Sequence, residues 1–342
     1  MRRRSRLMFA ALAAVTVMAV SACSGGSSDV PGAEPDSGGE AGTVNLYAYA
    51  VAKVGFEKVI PAFQETEAGE DVEFHQSYGA SGDQSRKTKD GAPADFVSFS
   101  VEPDMTRLVD AGLVAEDWNE DAYGGSPFGS VVTIVVREGN PKGIRDWDDL
   151  LRPGIEVVTP NPFSSGSAKW NLLAPYAAKS DGGQNPQAGL EYVEQLIDEH
   201  VRIQPKSGRE ATEAFLQGAG DALLSYENEA LFIEAEGEPV EHITPPTTFD
   251  IENSVAVVQH SQDLAKASAF QDFLYTSEAQ RLWAEAGFRP VDPGVAKEFA
   301  DKFLEPERLY TIDDLGGWPT VNADLFQQDV GAIARIYGDA TR

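Results

Sequence analysis

The chain has 342 residues, of which 42% are hydrophobic and 24% charged, and its 27 basic against 55 acidic side chains give a formal net charge of −28. This acidity argues against a nucleic-acid partner and against a polybasic contact with anionic lipid, because both need clustered positive charge. The length suffices for one large domain or for two lobes of ordinary size, and two lobes are the expectation.

The amino end has the pattern of an export signal. Four arginines within the first six residues precede an apolar run over residues 7–20, which is too short to span a membrane. The run closes on Val-Ser-Ala-Cys, which resembles a lipoprotein cleavage box and implies a signal peptide over residues 1–22 and a lipidated Cys23. An ordinary secretory site with a leftover cysteine is the alternative. Without the four arginines, 23 basic residues remain against 55 acidic ones, a net charge of −32.

Residues 24–42 are rich in Gly, Ser, Pro and acids and have almost nothing to bury. Together with Cys23 they are predicted to form a flexible tether, with a random-coil reach of roughly 25 Å. Because Cys23 is the only cysteine, no disulfide can form within the chain.

From Thr43 onward, strand-like and helix-like patterns alternate, which predicts an α/β fold with mostly parallel sheets. In such sheets, ligands bind beyond the carboxyl ends of the strands. The predicted strands are 44–49, 71–76, 94–99, 131–136, 155–159, 222–226 and 254–259. The predicted helices are 54–68, 105–111, 147–151, 190–200, 209–217, 229–236 and one or two over 264–286, with further helices after Gly82 and from Trp170.

Three turns of small residues each precede a predicted helix: Gly79–Gly82, Ser164–Ser167 and Ser207-Gly208. The first amides of a helix lack intrahelical partners and lie at the positive end of the helix dipole, so such turns can bind an oxyanion. Ser and Gly are also common at any helix start, which explains one such turn without a ligand. Three turns with basic neighbours favour an anion site, although these cations could simply neutralise carboxylates; they are Arg86, Lys87, Lys169, Lys206 and Arg209.

Enzyme motifs match poorly. The turn at Ser81 has Asp83 where a nucleophile elbow requires glycine, and Arg86 stands where a P-loop requires glycine. The four histidines are scattered without metal-ligand spacing. Glu227 or Glu229 could be a base, but helix capping or an interlobe contact is the preferred interpretation. No enzymatic activity, cofactor or metal is therefore predicted.

Several stretches together resemble the sulfate-binding proteins of bacterial ABC importers. They are Gly79–Gly82, Gly139-Asn140-Pro141-Lys142, Pro160-Asn161-Pro162, Ser164-Ser165-Gly166, Trp170-Asn171, Glu227-Asn228-Glu229-Ala230 and Thr311-Ile312-Asp313. The resemblance implies a two-lobed periplasmic-binding-protein fold of type II, in which each lobe is a mixed, mostly parallel sheet flanked by helices and the ligand lies in the interlobe cleft. The expected lobes are 43–125 with 228–287, and 126–227 with 288–342.

The resemblance also implies a ligand site of uncharged donors. The expected main-chain amide donors are Ala50, Ser81, Gly166, Ser167 and Gly208, joined by the hydroxyls of Ser165 and Tyr226. Three of these positions depart from the family pattern, which often has aspartate at position 50, commonly has glycine at position 167, and has a tryptophan, donating its indole N–H, at position 226.

The implied function is capture of sulfate and its delivery to an ABC permease and, through it, an ATPase. The protein is expected to act as a lipid-anchored monomer on the outer, periplasmic face of the cytoplasmic membrane. Thiosulfate, molybdate or phosphate binding by the same fold are the alternatives, with thiosulfate the nearest. An exported ester hydrolase is a more distant one.

Overall fold

The computed structural model describes residues 42–340, which are organised around two mixed sheets. The predicted signal peptide, the lipidation site at Cys23 and the tether up to residue 41 lie outside the described residues. Within residues 42–340, no helix is long and apolar enough to cross a membrane.

The described strands are β1 (Thr43–Tyr49), β2 (Glu73–Gly79), β3 (Phe96–Phe99), β4 (Phe128–Arg137), β5 (Val157–Val158), β6 (Val201–Ile203), β7 (Ala222–Tyr226), β8 (Val240–Ile243), β9 (Thr247–Glu252), β10 (Ser254–Val257), β11 (Arg289–Pro290) and β12 (Arg308–Tyr310). The α-helices are α1 (Lys53–Gln64), α2 (Ser81–Lys89), α3 (Glu102–Val109), α4 (Trp147–Leu150), α5 (Gly166–Ser180), α6 (Pro186–Gln195), α7 (Gly208–Leu216), α8 (Glu227–Ala235), α9 (Leu264–Leu274), α10 (Ser277–Glu285), α11 (Pro293–Glu298), α12 (Gly317–Val321) and α13 (Ala332–Ala340).

The first sheet has the order β10-β3-β1-β2, with parallel pairing of β1 to β2 and β3, and antiparallel pairing of β10 to β3. Its helices cover an aromatic core. Phe56 of α1 packs edge-on against Trp283 of α10 at 5.1 Å, and Phe63 packs against Phe270 of α9 at 5.2 Å. These apolar positions recur at helical spacing, which is why the segments fold as amphipathic helices on the sheet.

The second sheet has the order β12-β9-β4-β7-β5-β6, and β8 and β11 also pair with β4. The long strand β4 is antiparallel to β7, β8, β9 and β11, whereas β5 is parallel to β6 and β7. The predicted mixed sheets flanked by helices are therefore observed. Trp170 of α5 is fully buried beside this sheet and packs edge-on against Trp318 of α12 at 4.7 Å.

The predicted lobe boundaries differ from the sheets at one stretch. The expected first lobe includes residues 228–287, but β8 and β9 pair antiparallel with β4 in the second sheet. The chain then enters the first sheet at β10, after the single residue Asn253. The alternation of sequence patterns does not reveal this assignment, because it depends on which strand accepts the backbone hydrogen bonds.

Candidate functional site

A small polar cavity lies where turns after strands of both sheets meet. Its volume is about 10 Å³, which is the size of a single water-sized sphere. From the first sheet come the residues after β1, β2 and β3, and from the second sheet those after β5 and β6. The lining residues are Tyr49, Ala50, Val51, Gly79, Ala80, Ser81, Ser100, Ser165, Ser167, Ser207 and Gly208.

The three predicted small-residue turns therefore converge, as does the turn at Ala50. Five of the seven predicted site residues line the cavity directly: Ala50, Ser81, Ser165, Ser167 and Gly208. A sixth, Gly166, begins α5 between two of them. The seventh, Tyr226, is absent from the lining and lies behind Ser100.

Helix starts surround the cavity. α2 begins at Ser81, α5 at Gly166 and α7 at Gly208, while a short 3₁₀ turn begins at Ala50. No side chain caps the starts of α2, α5 or the 3₁₀ turn, whereas Ser207 Oγ caps α7 by accepting from the amide of Glu210 at 3.2 Å. Because the first amides of a helix have no intrahelical partner, these starts can supply donors to an anion.

The two sides of the cavity approach closely at glycine positions. The amide of Gly82, on the first-sheet side, donates to the carbonyl oxygen of Ser164 at 3.1 Å. A Cβ atom added to Gly166 would lie 2.8 Å from both Cβ and Oγ of Ser100. A Cβ atom on Gly208 would lie 2.8 Å from Ser167 Oγ and 3.2 Å from Val51 Cγ2. Only residues without a side chain fit this approach without displacing the opposite wall.

Two hydroxyls at the start of α5 bind each other. Ser165 Oγ lies 2.8 Å from Ser167 Oγ, and either atom could be the donor. Both side chains are buried, and because only one of the two hydroxyls donates in this contact, the proton of the other is left for a ligand. Ser167 is helical and is not among the described residues with positive φ, so serine at this position strains no backbone.

The Tyr226 hydroxyl contacts a residue that sequence reasoning misses. Its oxygen lies 2.6 Å from Ser100 Oγ, and both residues are buried. Burial raises the pKa of Tyr226 well above its usual value, so the hydroxyl keeps its proton at neutral pH. Ser100 lines the cavity and Tyr226 does not, so a direct contact of Tyr226 with a ligand stays a prediction. The one signal for Ser100 in the sequence is its place directly after a buried strand.

The Ser81 side chain is used inside the protein. Its hydroxyl donates to Asp104 Oδ2 at 2.6 Å and accepts from the amide of Ser100 at 3.0 Å. Arg107 pairs with the other Asp104 oxygen at 2.9 Å and neutralises that carboxylate. The main-chain amide of Ser81 is therefore the group that remains for a ligand.

The neighbouring cations pair with other groups. Arg86 pairs with Asp83, and Arg209 lies 2.9 Å from buried Glu229. Lys169 donates to Asn322 Oδ1 at 3.3 Å, and burial lowers its pKa. None of these side chains is among the lining residues of the cavity. The interpretation that these cations neutralise carboxylates holds for both arginines.

Two larger cavities differ in chemistry. A cleft of about 740 Å³ shares Gly79 and Ala80 with the polar cavity and carries basic and acidic side chains, among them Lys206 and Glu210. A separate cavity of about 430 Å³ lies where the chain crosses between the sheets. It contains Asp250 and Glu252, whose pKa values are raised, chiefly by burial, to about 6 and about 7.

Within residues 42–340, no group of three or more His, Cys, Asp or Glu side chains is placed to hold a metal ion.

Comparison with known proteins finds relatives among the bacterial solute-binding proteins. The family profile "Bacterial extracellular solute-binding protein" matches residues 44–289. A sulfate-binding protein of Synechococcus elongatus is 39% identical over 95% of this chain and 94% of its own length. A thiosulfate-binding protein of Pseudomonas aeruginosa is 33% identical over 85% of this chain and 90% of its own. The solved sulfate-binding protein SubI of Mycobacterium tuberculosis is 63% identical, covers 83% of this chain and 99% of its own, and superposes with a TM-score of 0.82.

Proposed function

The chain belongs to the bacterial extracellular solute-binding proteins, and on that premise we propose that it captures sulfate in the polar cavity and delivers it to an ABC importer. The relatives named for sulfate binding match nearly the whole described chain, which supports this ligand. We further propose that the protein binds without catalysis and acts as a monomer.

One observation carries the proposal: separate helix starts converge on a cavity lined by uncharged residues. The proposed donors are the amides of Ala50, Ser81, Gly166, Ser167 and Gly208 together with the hydroxyl of Ser165. A hydrogen bond to a charged partner contributes about 1.5 to 3 kcal/mol, so several such donors can replace the water shell of a dianion without a cationic side chain. Helix dipoles add a favourable field at the same place.

The same lining explains selection against hydrogen phosphate. Sulfate carries no proton at neutral pH and needs only donors, whereas hydrogen phosphate brings a hydroxyl that needs an acceptor. Asp83 and Glu227, two carboxylates that could have accepted from such a hydroxyl, are each paired with an arginine and do not line the cavity. A buried hydroxyl without an acceptor costs about 1 to 3 kcal/mol, which favours sulfate.

Thiosulfate is the second candidate ligand, supported by the 33% identity to a thiosulfate-binding protein. Its three oxygens can use the same donors, but its terminal sulfur is a larger and weaker acceptor. The cavity volume of about 10 Å³ means that any tetrahedral anion requires its walls to part, and thiosulfate requires more than sulfate. Sulfate is therefore proposed as the preferred ligand, ahead of thiosulfate and of the tetrahedral anions molybdate and phosphate.

Delivery requires the two lobes to separate and close. We propose that they hinge where the chain crosses between the sheets, near Gly125, Asn253 and Gly287. Closure would present a surface that exists only with ligand bound, which the permease and its ATPase can recognise. A lipid at Cys23 and the following tether would keep the protein at the outer face of the cytoplasmic membrane.

Calorimetric titration of the mature chain with sulfate, thiosulfate, molybdate and phosphate tests the function. We expect sulfate to bind with micromolar or tighter affinity, which corresponds to about −8 kcal/mol or better, and phosphate to bind far more weakly. Phosphate binding without a response to sulfate would overturn the proposal. Hydrolysis of a sulfate or phosphate ester by the purified chain would instead favour an exported hydrolase.

A further inference from the structure

We propose that Ser100 is a ligand-contacting residue whose hydroxyl, oriented by Tyr226, donates a hydrogen bond to the bound oxyanion. This inference rests on the proposed function. It adds a side chain from the first-sheet side to a site whose other hydroxyl donor, Ser165, comes from the second-sheet side.

The backbone of Ser100 is held on both sides of its Cα atom. Its amide donates to Ser81 Oγ at 3.0 Å, and its carbonyl oxygen accepts from Trp170 Nε1 at 2.6 Å. Asn253 Nδ2 donates to the same carbonyl at 3.4 Å. These contacts leave rotation about the Cα–Cβ bond as the main freedom of the residue. Its hydroxyl is therefore presented to the cavity from a fixed position.

The direction of the hydroxyl chain follows from the proton on Tyr226. That proton needs an acceptor because the phenol is only 1% exposed, and Ser100 Oγ, at 2.6 Å, is the acceptor that the described residues provide. If Tyr226 donates to Ser100, the Ser100 proton is free to point into the cavity. The reverse direction would leave the Tyr226 proton buried without a partner, which is unfavourable.

This direction suits a ligand that only accepts. A sulfate oxygen can accept a hydrogen bond from the Ser100 hydroxyl while that hydroxyl accepts a hydrogen bond from Tyr226. The pair therefore contributes to the affinity for a ligand that accepts hydrogen bonds.

The experiment compares Ser100→Ala, Tyr226→Phe and the double variant in the mature chain, titrated calorimetrically with sulfate and with inorganic phosphate. The matched control is Ser98→Ala, which removes a buried hydroxyl two residues earlier, on β3, that has no hydrogen-bond partner and does not line the cavity. Circular dichroism and thermal unfolding establish that each variant is folded.

We expect Ser100→Ala to weaken sulfate binding about 10- to 100-fold, as for loss of one hydrogen bond to a charged group. Tyr226→Phe should weaken sulfate binding less than Ser100→Ala does, because the Ser100 hydroxyl remains but loses the donor that orients it. The double variant should bind no more weakly than Ser100→Ala. Ser98→Ala should bind like the wild type.

Unchanged sulfate affinity in a folded Ser100→Ala variant would overturn the inference while leaving the proposed function intact. If Ser100→Ala does not fold, Tyr226→Phe decides, and an unchanged sulfate affinity in that variant overturns the inference. A wild-type chain that binds no sulfate would overturn the proposed function itself.

Discussion

Arg289 holds Glu227 through two parallel hydrogen bonds, with Nε 2.7 Å from Oε2 and Nη2 3.0 Å from Oε1. The Glu227 side chain is 2% exposed and that of Arg289 is 13% exposed. Glu227 begins α8 and Arg289 begins β11, so the pair joins a helix on the second sheet to the segment that returns to β4. The carboxylate that the sequence left open as a base is therefore a structural partner.

Replacing Arg289 with methionine should destabilise the fold strongly. The change leaves the Glu227 carboxylate buried without its cation, which typically costs about 3 to 5 kcal/mol. Urea unfolding followed by circular dichroism measures the loss. The matched control is Arg281→Met, since Arg281 makes the same two-bond contact with Glu298 at an exposed position. An equal loss of unfolding free energy in the two variants would contradict the claim that burial makes the Arg289–Glu227 pair the more important one.

Gly166→Ala should impair ligand binding more than folding. The added methyl group would lie 2.8 Å from Ser100, and the contact forms only where the two sides of the cavity meet. We expect at least a tenfold loss of sulfate affinity by calorimetry, with a wild-type circular dichroism spectrum.

The control for this variant is Gly338→Ala. Gly338 lies in the helix α13, and an added Cβ atom there meets nothing within 4 Å. Alanine is the better helix former, so stability should be equal or slightly higher and affinity unchanged. Unchanged affinity in Gly166→Ala as well would mean that the walls do not close around the ligand at this point.

Sulfate should raise the melting temperature of the wild-type chain. At a ligand concentration about 1,000 times the dissociation constant, binding adds about 4 kcal/mol to the free energy of unfolding. Ser165→Ala removes a proposed donor and should reduce the shift measured by scanning fluorimetry at the same sulfate concentration. A full shift in Ser165→Ala would remove that hydroxyl from the site.

Stability should fall as the pH rises from about 4 to about 6, in part because of Asp250. Burial raises the pKa of this carboxyl to about 6, an effect opposed by Arg289 and reinforced by Glu305. Because this pKa lies above the usual value of 3.8, the folded state binds the proton more tightly than the unfolded state. Protonated Asp250 therefore adds to the free energy of unfolding, and this contribution is lost when the carboxyl is deprotonated. In Asp250→Asn, the free energy of unfolding should fall by about 2 kcal/mol less over this pH range than in the wild type.

Thermal unfolding of wild type and Asp250→Asn at matched ionic strength checks this pH dependence. Glu252, whose pKa is raised to about 7 by burial and by Asp250, Asp313 and Glu102, extends the wild-type decline toward neutral pH. Parallel pH profiles for the two proteins would show that Asp250 is solvated in the folded state.

Much of the fold followed from local pattern. The strand 222–226 is predicted at its observed bounds, and the predicted helix 209–217 matches α7 within one residue. In both, the apolar spacing fits a single structure. The strands β8 and β9 were missed because charged residues interrupt them and Pro245 and Pro246 separate them, so their alternation is short.

The site was predictable where backbone supplies the chemistry. Turns of Ser and Gly at helix starts are visible in the sequence, and all three converge on the cavity. Ser100 carries no such mark, because its position depends on Trp170, Ser81 and Tyr226 meeting it from distant parts of the chain. Side chains fixed only by long-range contacts cannot be assigned from local spacing.

The single residue between β9 and β10 has a consequence for how the chain can diverge. Inserting or deleting one residue at Asn253 would turn every following side chain of β10 to the opposite face, exchanging its buried and outward positions. Length changes among descendants of this sequence should therefore be excluded from this junction. They should accumulate instead in exposed connections such as residues 119–124, where no strand pairing fixes the number of residues.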